Sequence, residues 1–67
     1  MDFKLQTEYI ELIKLLKVSG VAESGGMAKE IVARGEVQWN GKVDRRKRLK
    51  VRKGDYVKFQ EIIIHVQ

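Results

Sequence analysis

The spacing of apolar residues changes at Gly35, and this change predicts the order of helices and strands. Before Gly35, apolar residues recur every three or four positions, which is the spacing of one face of an α-helix. This spacing predicts a first helix over residues 7–18, with Thr7 as its N-cap and Gly20 as the residue that ends it. A second helix is predicted to begin at Ser24 and to stop at Gly35. Its apolar side carries Met27, Ala28, Ile31 and Val32.

After Gly35, apolar and polar residues alternate, as they do in half-buried strands. Val37 and Trp39 belong to the first such segment, which ends at Asn40-Gly41, and a return strand begins at residue 42. Because Asn-Gly is the strongest two-residue signal for a hairpin turn, we predict a β-hairpin here.

A further turn at Lys53-Gly54-Asp55 precedes strands predicted from alternation within residues 56–59 and 62–66. The predicted fold class is therefore α+β, with two N-terminal helices packed on a small, mostly antiparallel sheet. We expect residues 1–67 to form a single domain, since a chain of this length supports one core. The predicted shared core contains Ile13, Leu16, Ile31, Val37, Val51, Val57 and Ile64.

Positive charge is concentrated in residues 42–53, KVDRRKRLKVRK, which we call the basic segment. The segment holds eight of the fourteen lysines and arginines and one of the nine acidic residues, so it carries a net +7 while the remaining residues carry −2. Such a local charge attracts polyanions, chiefly the phosphates of nucleic acids.

Two apolar residues inside the basic segment argue against a disordered tail. An extended backbone would turn Leu49 and Val51 inward and leave Arg48, Lys50 and Arg52 outward. We therefore favour a folded polyanion-binding surface over a disordered tail or import signal, and over a purely solubilising role.

Composition argues against several other classes of function. The chain has no cysteine and only one histidine, His65, so neither a disulfide nor a zinc site is expected. No nucleophile, base and orienting group fall in a suggestive arrangement, so we predict no enzyme, no catalytic residue, no cofactor and no small-molecule substrate. The N-terminal residues have no long apolar run, so we expect no signal peptide, no membrane contact and a cytoplasmic location.

Two features have more than one interpretation. Gly25 and Gly26 stand in the first turn of the second helix, where each glycine costs up to ~1 kcal/mol relative to alanine. Either they let a phosphate approach the free N–H groups, or they serve a tight turn or close helix packing. Trp39 could stack on a nucleotide base, but its phase with Val37 favours the core.

Several sequence runs together resemble the RNA-binding domain first defined in the fourth protein of the small ribosomal subunit. They are YIELIKLLK, Gly20-Val21, Ser24, the spacing A-x-x-I-V-x-x-G-x-V-x-W-N-G over residues 28–41, and the KVRKGDYV turn. This family is the S-four domain, also called the alpha-L motif. The resemblance covers residues 9–59, and short stand-alone bacterial members are the most similar. The chain differs from many members at residues 9–11, which replace arginine, leucine and aspartate, and at Gly25, which replaces an arginine.

The resemblance implies binding to structured RNA, with ribosomal or transfer RNA as the expected partner. Together with the charge pattern it predicts phosphate contacts from the second helix and from the hairpin with the basic segment. The residues concerned are Ser24, Gly25, Gly26, Lys29, Arg34, Asn40, Lys42, Arg45, Arg46, Lys47, Arg48 and Lys50. Asn40 is expected mainly to serve the turn. The alternative is a basic adaptor that docks an acidic protein partner; the oligomeric state stays open.

Overall fold

Both helices lie in the N-terminal half of the chain in the computed structural model, which describes all 67 residues. The elements in chain order are β1 (Asp2–Phe3), β2 (Ile10–Glu11), α1 (Leu12–Val18), α2 (Gly25–Ala33), β3 (Val37–Trp39), β4 (Lys42–Val43), β5 (Lys50–Val51), β6 (Tyr56–Phe59) and β7 (Ile62–Val66). Five strands form one sheet in the order β1-β7-β6-β3-β4, and β2 pairs with β5 in a second, two-stranded sheet. Every strand pair is antiparallel except β1 with β7, which confirms the predicted α+β, mostly antiparallel fold.

The core is made only of apolar side chains, and it joins the helices to both sheets. Of the seven core residues predicted from the sequence, six are buried, and Ile13 is half-buried against the core. The fully buried large side chains are Leu12, Leu15, Leu16, Val32, Val37, Val51, Val57 and Ile64. Because Val51 belongs to the basic segment, the core also anchors the charged part of the chain.

The first helix begins five residues later than predicted. Thr7 is not its N-cap, because Glu11 occupies that position, and the Thr7 hydroxyl instead donates to the carbonyl oxygen of Tyr9 at 2.8 Å. Residues 10–11 are extended instead and pair with β5, and α1 starts at Leu12. The N–H groups of Leu12 and Ile13 donate to the carbonyl oxygens of Leu49 and Lys47, at 2.9 and 3.1 Å. Carbonyl groups of the basic segment therefore accept the hydrogen bonds of the first N–H groups of α1, and the spacing of apolar residues could not indicate this.

The second helix and the turns agree with the prediction. Ser24 is the N-cap of α2, and its hydroxyl oxygen accepts from the Met27 N–H at 3.1 Å. Gly35 ends the helix with φ +75°. Asn40 and Gly41 have φ of 50° and 91°, the left-handed pair that a tight hairpin turn requires.

The strand β1 was not predicted from the sequence. Its two residues pair with His65 and Val66 of β7. The N-terminal ammonium group donates to the carbonyl oxygen of Ile63 at 2.7 Å, which secures the end of the chain.

Candidate nucleic-acid interface

The basic segment lies along the surface with its two apolar side chains turned into the core. Leu49 is 8% exposed and Val51 is fully buried. The side chain of Arg48, which directly precedes Leu49, is 82% exposed. Lys50 and Arg52 are also exposed. The predicted alternation is therefore correct, and the fold holds the cations of this segment on its outside.

Three arginines of the basic segment form ion pairs. Arg46 binds the Asp44 carboxylate through two nitrogens, with Nη2 2.7 Å from Oδ2 and Nε 3.0 Å from Oδ1. The side-chain hydrogen bonds from Arg46 lower the pKa of Asp44 below its ordinary value. Arg48 pairs with Glu11 at 3.0 Å and Arg52 with Glu8 at 3.5 Å. The cations of the segment without an ion pair are Lys42, Arg45, Lys47, Lys50 and Lys53.

Asp55 connects the turn after β5 to the β3–β4 hairpin. Its carboxylate accepts hydrogen bonds from Trp39 Nε1 at 3.2 Å, from Asn40 Nδ2 at 3.1 Å and from the Arg52 backbone N–H at 2.8 Å. Partial burial alone would raise the pKa of Asp55, but these hydrogen bonds and the Arg52 charge together lower it. Asn40 Oδ1 also accepts from the Tyr56 N–H at 2.9 Å. The side chain of Asn40 is therefore used within the fold, as expected of the turn residue.

The first turn of α2 contains two glycines that the backbone conformation does not require. Neither Gly25 nor Gly26 has a positive φ. A Cβ at Gly25 would meet nothing within 4 Å, and one at Gly26 would lie 3.7 Å from Ser24 Oγ. Close packing thus does not explain the pair, and the approach of a phosphate stays a prediction.

Arg34 lies where α2 meets the basic segment. It is near Glu30 and Glu36, at 3.8 and 4.0 Å. The guanidinium group of Arg45 covers the adjacent Gly35, since a Cβ added there would lie 2.6 Å from Arg45 Nη2. Lys29 is exposed and has no ion pair. Ser24 is ten residues from Arg34, about 15 Å along the helix axis, so the start and the end of α2 form separate parts of the surface.

Sequence reasoning omitted several residues of this surface. Lys14 and Lys17 of α1 line a shallow groove of about 310 Å³ that also includes Gly25. Arg52 and Lys50 lie over the ring of Tyr9, at 5.8 and 4.9 Å from its centroid. The alternation in the basic segment had already placed Arg52 outward, but Tyr9 was assigned to the first helix.

Trp39 has two surroundings. Part of its side chain packs against the core, as favoured from the sequence, but the residue is only half-buried. Its remaining surface lines an open groove among the cations of the basic segment. The core interpretation is therefore only partly correct.

Other candidate chemistry is sparse. His65 is exposed, as expected, with its ring centroid 6.4 Å from that of Tyr56. No group of three or more histidine, cysteine, aspartate or glutamate residues is placed to hold a metal ion. Neither helix is long and apolar enough to cross a membrane.

The geometry is that of a small α+β protein with a strongly cationic strip beside its second helix. A family model described as the S4 domain matches residues 3–67, so the chain belongs to the S4 domain family, the S-four domain named above. This membership confirms the resemblance seen in the sequence.

Named relatives match most of the chain. YbcJ of Escherichia coli (strain K12), provisionally named an RNA-binding protein, is 45% identical over 51 residues, which are 76% of this chain and 73% of that protein. An uncharacterised YbcJ protein of Shigella flexneri matches with the same identity and coverage. The solution structure of YbcJ from E. coli, described as revealing an alpha-L motif involved in RNA binding, is also similar. It has a TM-score of 0.75 and 39% identity over 97% of this chain and 84% of that one.

Proposed function

We propose that this protein binds structured RNA, with ribosomal or transfer RNA as the expected class, through phosphate contacts from α2 and the basic segment. One observation carries the proposal. The side chains of Leu49 and Val51 are buried in the core and hold the basic segment against it, so its cations form a strip of fixed shape instead of a mobile tail. The family and the printed descriptions of the YbcJ relatives support the same function.

The ion pairs of the basic segment are compatible with phosphate binding. The Arg48 and Arg52 side chains are 82% and 51% exposed, and exposed pairs contribute only ~0–1 kcal/mol. A phosphate can therefore replace a paired carboxylate at little cost. The cations without partners need no such exchange.

The contact between Arg45 and Gly35 holds the basic segment in position relative to α2. It places the start of the basic segment beside the end of α2, next to Arg34. Since double-stranded RNA presents shape, phosphates and 2′-hydroxyls more than readable base edges, a surface with fixed charge spacing selects RNA geometry. We therefore expect the protein to favour folded RNA over flexible polyanions.

We further propose that residues 1–67 act as one S-four domain without catalytic activity, and that the protein acts in the cytoplasm, where its RNA partners would be found. The site residues are those predicted from the sequence, with Ser24, Gly25, Gly26 and Lys29 on α2 as one group. The other group consists of Arg34, Lys42, Arg45, Arg46, Lys47, Arg48 and Lys50, and Asn40 serves the hairpin turn between them.

The salt dependence of binding tests the electrostatic part of the proposal. If about four to six phosphates are engaged, the slope of log K against log salt should lie near −3 to −5. The double variant Arg45→Gln/Lys47→Gln should weaken binding to every RNA and make the slope shallower. The control Lys4→Gln/Lys58→Gln removes equal charge outside the basic segment and both helices, and it should change binding much less.

The outcomes separate RNA binding from its alternative. Equal effects of the two double variants would show that net charge, not the strip, governs binding. An absence of RNA binding at low salt, together with capture of an acidic protein by the basic segment, would favour the adaptor function.

Substitutions on α2 test whether the scaffold matters beyond charge. Lys29→Ala/Arg34→Ala leaves the basic segment intact and should reduce affinity for a structured RNA more than for a single-stranded homopolymer. The reason is that only an RNA with matching phosphate spacing engages α2 and the basic segment together without further ordering cost. Equal losses on both RNAs, with circular dichroism showing a folded variant, would indicate nonspecific polyanion adhesion.

A further inference from the structure

An open groove beside the basic segment contains the chain's single tryptophan. The groove has a volume of about 610 Å³, within the ~300–1,000 Å³ range of small-ligand sites. It is lined by Trp39, Arg46, Arg48, Leu49, Lys50, Arg52 and Asp55. Four of these seven residues are cations.

The indole of Trp39 is held in a defined orientation at this groove. Its Nε1 donates to Asp55 Oδ2 at 3.2 Å, and Asp55 is itself fixed by the Arg52 N–H and by Asn40. Part of the indole packs against the core, so the remaining part is presented to the groove without freedom to turn away. A rigid aromatic ring is well suited to stacking, because no side-chain motion has to be stopped on binding.

Arg46 covers the indole in the free protein. Its guanidinium carbon lies 5.9 Å from the ring centroid, and the side chain is 66% exposed. Its only other attachment is the pair with Asp44. A flat group can therefore displace Arg46 from the ring, and the guanidinium remains at the edge of the groove beside Asp44.

We propose that this groove holds one unpaired nucleotide of the bound RNA, with its base stacked on Trp39 and its phosphates among Arg48, Lys50 and Arg52; this inference rests on the proposed RNA binding. Stacking on an aromatic ring combined with nearby cations is how proteins hold unpaired bases. A base inside a duplex has both faces covered by its neighbours, so only a bulged, looped or terminal nucleotide can enter. The aspartate and glutamate side chains of an acidic peptide would satisfy the cations, but they have no flat ring to stack on the indole.

The emission of Trp39 tests the inference in the unmodified protein, because no other tryptophan contributes. Two RNA hairpins are compared, one perfectly paired and one with a single bulged adenosine. Binding is followed independently by the anisotropy of a label on the RNA. We expect both hairpins to bind, and the bulged hairpin to quench Trp39 at saturation far more than the paired hairpin does.

Variants give a second readout. Trp39→Leu should lower affinity for the bulged hairpin about tenfold, since stacking contributes at that scale, and should change affinity for the paired hairpin less than about twofold. Trp39→Phe, which keeps a smaller ring, should lie between. The control Tyr56→Leu removes an exposed aromatic ring that does not line the groove, and it should leave the preference for the bulge unchanged.

Each outcome of these measurements supports or overturns the stacking of an unpaired base on Trp39. Equal binding of both hairpins without a difference in quenching would overturn the inference and leave RNA binding intact. Binding of neither hairpin would overturn both. Equal quenching by adenosine monophosphate at the concentration that saturates with bulged RNA would assign the groove to a free nucleotide and overturn an RNA-borne base. If Trp39→Leu is unfolded by circular dichroism, Trp39→Phe and the quenching measurement decide.

Discussion

Replacement of Asp55 by asparagine should destabilise the protein at neutral pH and much less in acid. Asp55 accepts three hydrogen bonds, from Trp39, Asn40 and Arg52, and thereby joins two turns. An asparagine at this position keeps one oxygen and places an NH₂ group where the other oxygen accepted. At least one donor is then left unpaired, and the remaining bonds lose the help of a negative charge.

The size of the effect follows from these bonds. A hydrogen bond to a charged group contributes about 1.5–3 kcal/mol and a neutral one about 0.5–1.5 kcal/mol. In a fully buried site, the loss of one hydrogen bond and the weakening of the other two would cost several kcal/mol. Asp55 is partly exposed, so water satisfies part of the lost hydrogen bonding and the cost is smaller. We therefore expect a loss of about 1–2 kcal/mol in the free energy of unfolding. In a domain of this size, that lowers the melting temperature by about 5–15 °C.

The dependence on pH has a definite sign. The pKa of Asp55 in the folded protein is lowered from 3.8, so its stabilisation is fully present above that value and is lost as the pH falls through the folded pKa. The difference between the native protein and Asp55→Asn should be full at pH 7 and should shrink below about pH 4.

Urea unfolding followed by far-ultraviolet circular dichroism at pH 7 and pH 3 measures this difference. Asp2→Asn is the matched control, because Asp2 is exposed and its carboxylate accepts no hydrogen bond within the protein. The control should lie within about 0.5 kcal/mol of the native protein. An equal loss at both pH values, or no loss at pH 7, would refute the role assigned to the charged carboxylate.

Three further predictions concern glycine, the core and the helix cap. Gly35→Ala and Gly54→Ala should each cost about 1–2 kcal/mol of stability, because both glycines have a positive φ, +75° and +95°. Only the Cβ of Gly35→Ala would displace Arg45, so only this variant should weaken RNA binding in a filter assay. Leu16→Ala should cost about 2–5 kcal/mol, and since domains this small rarely exceed about 3–5 kcal/mol, circular dichroism should show a largely unfolded chain. Ser24→Ala should cost about 1 kcal/mol of stability. Ser24→Asp should restore the cap by thermal melting yet weaken RNA binding, because it puts a negative charge where we expect a phosphate; unchanged affinity would place the phosphate elsewhere.

Elements whose signals are local were predicted well from the sequence. The cap of α2 at Ser24, its end at Gly35 and the Asn40-Gly41 turn depend on residues only a few positions apart. The outward cations of the basic segment followed from simple alternation around Leu49 and Val51. In each case the backbone conformation is decided within one turn of chain, so the amino-acid types suffice.

Features that depend on distant partners were decided only by the tertiary structure. The start of α1 is set by carbonyl groups of the basic segment, which lie more than thirty residues further along the chain. The strand β1 forms because its backbone can pair with the edge of β7. Two residues are too few for a pattern of apolar and polar positions to predict a strand. The groove at Trp39 likewise needs Asp55, which is sixteen residues further along the chain and directly precedes β6, the strand that pairs with β3.

The candidate site divides along the same line. The sequence by itself determined which residues carry the charge and that they face outward. Only the tertiary structure decided which arginines are paired with Asp44, Glu11 and Glu8, and which aromatic ring lies among them. The physical reason is that charge is a property of each residue, whereas an ion pair or a groove requires side chains from separate segments to meet once the core has formed.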